Sequence, residues 1–281
     1  MKKIIVILAL IPFAFSCSQK QKTQDDNIGA IVSIYPQKYF VERIAGSNVD
    51  DIMVMIPPGS SPATYDPSPK QVAAISDADI YFNIGYIGFE NAWLERFQKS
   101  NPDVKFVDMS TGIKLLETCG HHHDDIGHGT DPHTWLSPRN AMFMAQNIYT
   151  ALADIDPDNQ LEYIRNYNKL IEELKSIDST INASLREYSN RSFLIYHPAL
   201  TYFARDYNLE QISIEKEGKA PSVQHMKEIM DLASDRGIKY VFVQREFDQD
   251  HAQKIADEID AELIVIDPLQ EDWINGINKI S

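Results

Sequence analysis

Cysteine is almost missing from this 281-residue chain, which has two, Cys17 and Cys119. With Cys17 read as a lipid attachment point, Cys119 stands alone, and a disulfide framework is excluded even though the chain reads as exported. Basic residues are also scarce: 26 Lys and Arg face 41 Asp and Glu, a formal charge of −15. Loss of a leader holding Lys2 and Lys3 would take that charge to −17. Such a balance argues against nucleic acid as a partner and suits a cation, although most of the acidity serves solubility. Beyond the leader there is no apolar run of membrane length. Two catalytic signatures are missing as well, the His-Glu-x-x-His helix and the nucleophile elbow.

What is present begins with Lys2 and Lys3, an apolar run from Ile4 to Phe15, and Ser16-Cys17. The run is short for a bilayer span and ends in small residues and a cysteine, the pattern of a lipoprotein signal peptide. The alternative is an ordinary signal peptide that happens to contain cysteine. The expected organisation is a signal peptide over 1–17 with lipidated Cys17, then a polar tether over 18–28. The mature chain would be soluble apart from its lipid, held in the cell envelope in the periplasm or otherwise outside the cytoplasmic membrane.

After the tether, strand and helix patterns alternate. Ala30 to Tyr35 reads as a buried strand, and Pro36 starts a helix that stops at Gly46. Asp51 to Ile56 reads as a strand. Ser68-Pro69-Lys70-Gln71 carries an N-cap, an N1 proline and a capping-box glutamine, so a helix starts there and runs to about Ser76. Ile80 to Ile84 and Val104 to Val107 read as strands around a helix near Ala92 to Phe97. Between Pro157 and Tyr188 the pattern changes: Leu161, Ile164, Leu170, Ile171, Leu174, Ile177, Ile181 and Leu185 recur at helical spacing with no Gly or Pro inside. About thirty residues at 1.5 Å each predict a rod on the order of 45 Å long. It reads as a stiff connector between lobes, or else as a long bundle helix.

Beyond the rod the first half is echoed. Ile195-Tyr196-His197-Pro198 through Phe203 follows Ile34-Tyr35-Pro36 through Phe40 with a two-residue gap, Pro221-Ser222 opens a helix as Pro67-Ser68 does, and Tyr240 to Val243 matches Ile80 to Ile84. Three matches in one order predict two similar α/β lobes. Each would have a mostly parallel sheet flanked by helices, at 29–156 and 189–281, joined by one long rigid helix at 157–188, with ligand in the cleft between strand ends.

Three residues are expected to face that cleft: His133 in Asp131-Pro132-His133-Thr134-Trp135-Leu136-Ser137-Pro138, His197 after a strand, and Asp267 in Val265-Ile266-Asp267-Pro268-Leu269. A histidine between Asp-Pro and a Ser-Pro helix start sits on a stiff loop. Two imidazoles and a carboxylate suit Zn2+, with Mn2+ or Fe2+ next. Trp135 reads as a packing wedge that aims the loop, and His225 and His251 as helix-surface or packing residues. The interrupted run His121, His122, His123 and His128 reads either as a flexible metal collector or as a solvated loop.

These motifs, together with Pro58-Gly59-Ser60-Ser61-Pro62-Ala63-Thr64-Tyr65-Asp66-Pro67 and His197-Pro198-Ala199-Leu200-Thr201-Tyr202-Phe203-Ala204, carry a resemblance over nearly the whole mature chain. The chain resembles the zinc/manganese-type (cluster A-I) solute-binding proteins of ABC transporters, and within them the zinc-type, ZnuA-like periplasmic lipoproteins. The resemblance implies a monomeric receptor that captures a divalent ion and passes it to a membrane permease, without catalysis. It implies zinc in particular, because a histidine at position 197 goes with zinc-type members and a glutamate with manganese-type ones. One departure stands out: such receptors usually carry a histidine ligand where this chain has Ala63. The implied site is then His133, His197 and Asp267, completed by water, by Tyr65, Asp66 or Glu246, or by a histidine from 121–128. Two rival readings are a zinc hydrolase whose open position holds an activated water, and a metal-binding adhesin or surface lipoprotein.

Overall fold

A computed structural model describes residues 27–117, 129–215 and 219–281. The leader with Cys17, and the stretch with Cys119, His121, His122, His123 and His128, lie outside the described residues.

The first sheet is built from β1 (Ala30–Val32), β2 (Met53–Val54), β3 (Ile80–Asn83) and β4 (Lys105–Asp108), all parallel, in the order β2-β1-β3-β4. The second, from β5 (Ser192–Ile195), β6 (Glu210–Ser213), β7 (Tyr240–Gln244) and β8 (Glu262–Ile266), repeats that order as β6-β5-β7-β8, again all parallel. The internal echo is thus a repeated topology, and the expected two-lobed α/β fold is the observed one. β2 is shorter than its apolar run because only Met53 and Val54 form regular pairs with β1, while Met55 and Ile56 bond singly to Val32 and Ser33.

Local signals set the helix starts. In α1 (Tyr35–Ala45), Gln37 Oε1 accepts the amides of Ser33 and Ile34, and Gly46 ends the helix at φ 62°, where a side chain would be strained. The capping box at α2 (Pro69–Ala74) is formed: Ser68 Oγ accepts from the Gln71 amide and Gln71 Oε1 from the Ser68 amide. Ser222 caps α7 (Val223–Arg236) from one side only, its Oγ accepting the His225 amide.

The rod is α5 (Gln160–Leu185), 26 residues or about 39 Å, preceded by a short 3-10 turn at Pro157–Asn159. It does not stand alone. α4 (Pro138–Ile155), of which only the Ser137-Pro138 start is legible in the sequence, doubles back through that turn to lie against it, and α1 packs on both. Tyr163, Leu170, Leu174 and Ile181 form the buried stripe of α5. The apolar core runs unbroken from the first sheet through these helices to Phe193, Phe203, Phe242 and Trp273 of the second lobe, and a separate cluster fills the far face of the second sheet under α7 and α8 (Gln249–Glu258). The junction is also hydrogen-bonded: Trp135 Nε1 donates to Pro268 O at 2.8 Å, and Trp273 Nε1 to Trp135 O at 2.7 Å. Among the described residues no helix is long and apolar enough to cross a membrane.

One buried acid lies under the first sheet's strand ends. Glu90, in the first turn of α3 (Gly88–Ser100), accepts from Ser33 Oγ and from the amides of Ile84 and Gly85. Burial pushes its carboxyl up to about 7, with a further push from Asp108 and against the pull of those hydrogen bonds. Because the folded value is raised, the folded chain holds an extra proton between 4.5 and about 7, and stability falls as pH rises through that window. Glu90→Gln should remove roughly 3 kcal/mol of that pH dependence, measured as the difference between denaturant melts of variant and parent at both ends of the window. Equal slopes would refute the assignment.

Candidate metal centre

The candidate side chains come from loops at strand ends. β5 runs into Tyr196-His197-Pro198, β7 into Arg245-Glu246-Phe247, and β8 directly into Asp267, so the second lobe offers His197, Glu246 and Asp267 along one carboxyl edge. The first lobe contributes His133, which caps the short 3-10 turn Thr134–Leu136 ahead of α4. The His133 and His197 rings meet edge to face with centroids 5.3 Å apart, across the junction between the lobes.

Both imidazoles are aimed by buried carboxylates. His133 Nδ1 lies 2.8 Å from Asp131 Oδ1, which also accepts the His133 amide at 2.9 Å. Burial acts to raise the Asp131 carboxyl, but the bonds from the His133 ring and amide outweigh it, so it titrates below the usual carboxylate range. His197 Nδ1 lies 2.7 Å from Glu215 Oε1, and Gln244 grips the His197 backbone from both sides, accepting from its amide and donating to its carbonyl. A carboxylate at Nδ1 selects the tautomer whose Nε2 bears the lone pair. Each ring is backed by an aromatic neighbour 5.3 Å away, Trp135 behind His133 and Phe247 stacked on His197. Trp135 is the wedge expected of it. Glu215 and Gln244 carry no motif beyond ordinary loop or strand chemistry, whereas Asp131 opens the motif that holds His133, two residues before it, and could have been found as its partner.

Asp267 turns one oxygen inward to its own loop, where Oδ1 accepts the Leu269 amide at 3.0 Å, and shows the other to Arg245, with Oδ2 3.7 Å from Nη1. Tyr65 and Asp66 are engaged elsewhere. The Tyr65 hydroxyl donates to Gln71 Oε1 at 2.8 Å, and Asp66 Oδ1 accepts from Trp93 Nε1 at 3.1 Å. Ala63 is exposed, and its backbone lies against Gly88, where even a Cβ would come within 2.4 Å of the Ala63 carbonyl oxygen. His225 and His251 lie on α7 and α8, beside Glu228 and Asp248 respectively. Among the described residues no three His, Cys, Asp or Glu side chains converge closely enough to grip an ion as they stand.

Comparison with known proteins bears on this arrangement. The family model described as "Zinc-uptake complex component A periplasmic" (ZnuA) matches residues 31–277. The zinc-binding lipoprotein AdcA of Streptococcus pneumoniae is 30% identical over 298 aligned positions, covering 100% of this chain and 59% of its own length. The chain therefore spans little more than half of that relative. The high-affinity zinc uptake system protein ZnuA of Bacillus subtilis is 27% identical, with 88% of this chain and 80% of that protein aligned. Among solved structures, a crystal structure of ZnuA superposes with a TM-score of 0.83 at 38% identity, covering 91% of this chain and 96% of that one.

Proposed function

We infer the function from one premise: this chain belongs to the ZnuA family, the periplasmic component A of zinc-uptake complexes. Its role is that of a metal receptor in an ABC-transport system. It captures Zn2+, as cargo, between its lobes and presents the ion to a membrane permease. The lobes are residues 29–156 and 189–281, with 157–188 between them, and the ion is held by His133, His197 and Asp267. A lipid on Cys17 keeps the monomer at the outer face of the cytoplasmic membrane or elsewhere in the envelope, and the histidines of 121–128 collect metal for the cleft. Solute-binding proteins of this kind are not enzymes as a class, and the chain has neither a zinc-protease helix nor a nucleophile elbow.

The observation that carries this reading is the imidazole pair. One ring comes from each lobe, the two are 5.3 Å apart, and each has Nδ1 held by a buried carboxylate so that Nε2 is free to bind a borderline cation. A hydrolase needs an activated water and a group that shuttles its proton, whereas a receptor needs only affinity and a way to release. The test is calorimetric titration of the mature chain with Zn2+ and Mn2+ alongside ester and peptide turnover assays. One tight zinc site per chain, weaker manganese binding and no turnover are expected. Metal-dependent hydrolysis would overturn the receptor reading.

Glu215 offers a finer check, because Glu215→Gln keeps a hydrogen-bond acceptor for His197 while removing its charge. Zinc affinity should fall by roughly 10–100-fold, as for an outer partner that makes a ligand more basic. Competition against a chelating dye measures it, and an unchanged constant would mean that Glu215 only fills space.

A further inference from the structure

His133 and His197 come from different lobes, and a single helix is bonded to the loops that carry both. We propose that Tyr202 is a positioning residue for the cargo: its hydroxyl holds the His133 loop at the reach that the His197 ring requires. This inference rests on the reading of His133 and His197 as ligands of the ion.

The helix is α6 (Thr201–Tyr207), which starts just after His197-Pro198-Ala199-Leu200. That link is stiff: the Ala199 amide donates to His197 O at 2.8 Å and the Leu200 amide to Gln211 Oε1 at 2.7 Å. Tyr202 is fully buried in the second lobe, yet both bonds of its hydroxyl go to the first. It donates to Asp131 O at 2.8 Å and accepts the Leu116 amide at 3.2 Å. The Asp131 amide in turn donates to Leu116 O at 2.8 Å, so the backbone of Asp131 is bonded on both sides while its carboxylate aims His133 Nδ1. The same helix clasps the far side of the loop. Arg205, whose guanidinium lies 5.1 Å over the Tyr202 ring, donates to Asn140 Oδ1 at 2.9 Å, and Asn140 Nδ2 donates to Thr134 O at 3.0 Å. Asp206 accepts from Ser137 Oγ. His133 thus stands between two grips from the element that follows His197. Donors on two bodies bind one ion tightly only if their separation is set before the ion arrives, because ordering them afterwards costs affinity. Of the two grips, the one through Tyr202 hangs on a single uncharged hydroxyl. A second buried tyrosine of α6 supplies the contrast: the Tyr207 hydroxyl donates to Asp178 Oδ1 at 2.9 Å, on α5 and not on the His133 loop.

The test uses the mature chain as wild type, Tyr202→Phe, Tyr207→Phe and His133→Ala. Zinc affinity is read by competition with a chelating dye, donor geometry by the visible absorption of bound Co2+, and stability by metal-free thermal melts. Phenylalanine keeps the ring in its place, so both tyrosine variants retain the fold and each should melt lower for the loss of one buried hydrogen bond. Tyr202→Phe should also weaken zinc about tenfold, as for a lost outer partner, and should shift the cobalt bands, whereas Tyr207→Phe should match the parent in both. The spectrum is the property that a merely structural role would leave alone. Parent affinity and spectrum in Tyr202→Phe, or equal changes in the two tyrosine variants, would overturn the inference. If His133→Ala loses zinc in either case, the cleft reading survives without Tyr202. If His133→Ala binds zinc as the parent does, the cleft reading fails and takes the inference with it.

Discussion

Replacing His197 by alanine should cost this chain its tight zinc binding, a loss on the order of 100- to 1,000-fold in affinity. The figure follows from sharing roughly 10–16 kcal/mol of zinc binding energy among four donors, about 3 kcal/mol or more apiece. The position is hard to replace. His197 Nδ1 is committed to Glu215, its backbone is held by Gln244 and its ring is covered by Phe247, so no neighbour can swing into the space with equivalent chemistry. Affinity should also fall as the solution is acidified, since protons compete with the metal for both imidazole nitrogens. His225→Ala, on the surface of α7, should bind zinc as the parent does and serves as the control. Calorimetry on both variants, with circular dichroism to confirm the fold, decides the matter. Parent-like affinity in the His197 variant would move the cargo site out of the cleft.

Trp135→Ala should have the largest effect on stability. The indole is 1% exposed, donates to Pro268 O in the second lobe, and through its own carbonyl accepts from Trp273. Truncating a buried tryptophan costs about 3–5 kcal/mol. At about 2–4 °C per kcal/mol for a chain of this size class, the metal-free protein should melt roughly 10 °C lower. Trp135→Phe should lie between the two, because it keeps much of the packing but leaves the Pro268 carbonyl short of its donor, a penalty of about 1–3 kcal/mol. Zinc binding should weaken in both, since the ring backs His133. Differential scanning calorimetry reads the result, and a melting point within a degree or two of the parent would show that the lobes are held by other contacts.

The fold was legible wherever a residue type announces a local event. Ser68 with Gln71, Pro36 with Gly46, and the echo of Ile34–Phe40 in Ile195–Phe203 each became the expected cap or repeat. Illegible were features that depend on partners distant in sequence. The apolar stripe of α5 reads the same whether it bridges solvent or lies against α4, and only the structure tells the two apart. The same limit applies at the site. His133, His197 and Asp267 stand in motifs, and the structure sets the first two side by side. Glu215 and Gln244 are single residues in a loop and a strand, and their roles appear only when β5, β6 and β7 are aligned. Glu246 could be named from the sequence only as one of several alternatives, beside water, Tyr65, Asp66 and the histidines of 121–128, because nothing in Arg-Glu-Phe says that Arg245 will reach Asp267 and Phe247 will lie on the His197 ring.

The tryptophan pair between the lobes has a consequence for timing. Two bodies that share one core and are bonded through Trp135, Pro268 and Trp273 cannot part like jaws without breaking that junction. If the ion is held as proposed by His133, His197 and Asp267, it would leave through small excursions of the loops that bear them and not by a parting of the lobes, which would lengthen its residence time in the free chain. Handover to a permease, on that proposal, would be set by how quickly docking dislodges those loops, and the free chain's own clock would run too slowly to leak cargo on the way.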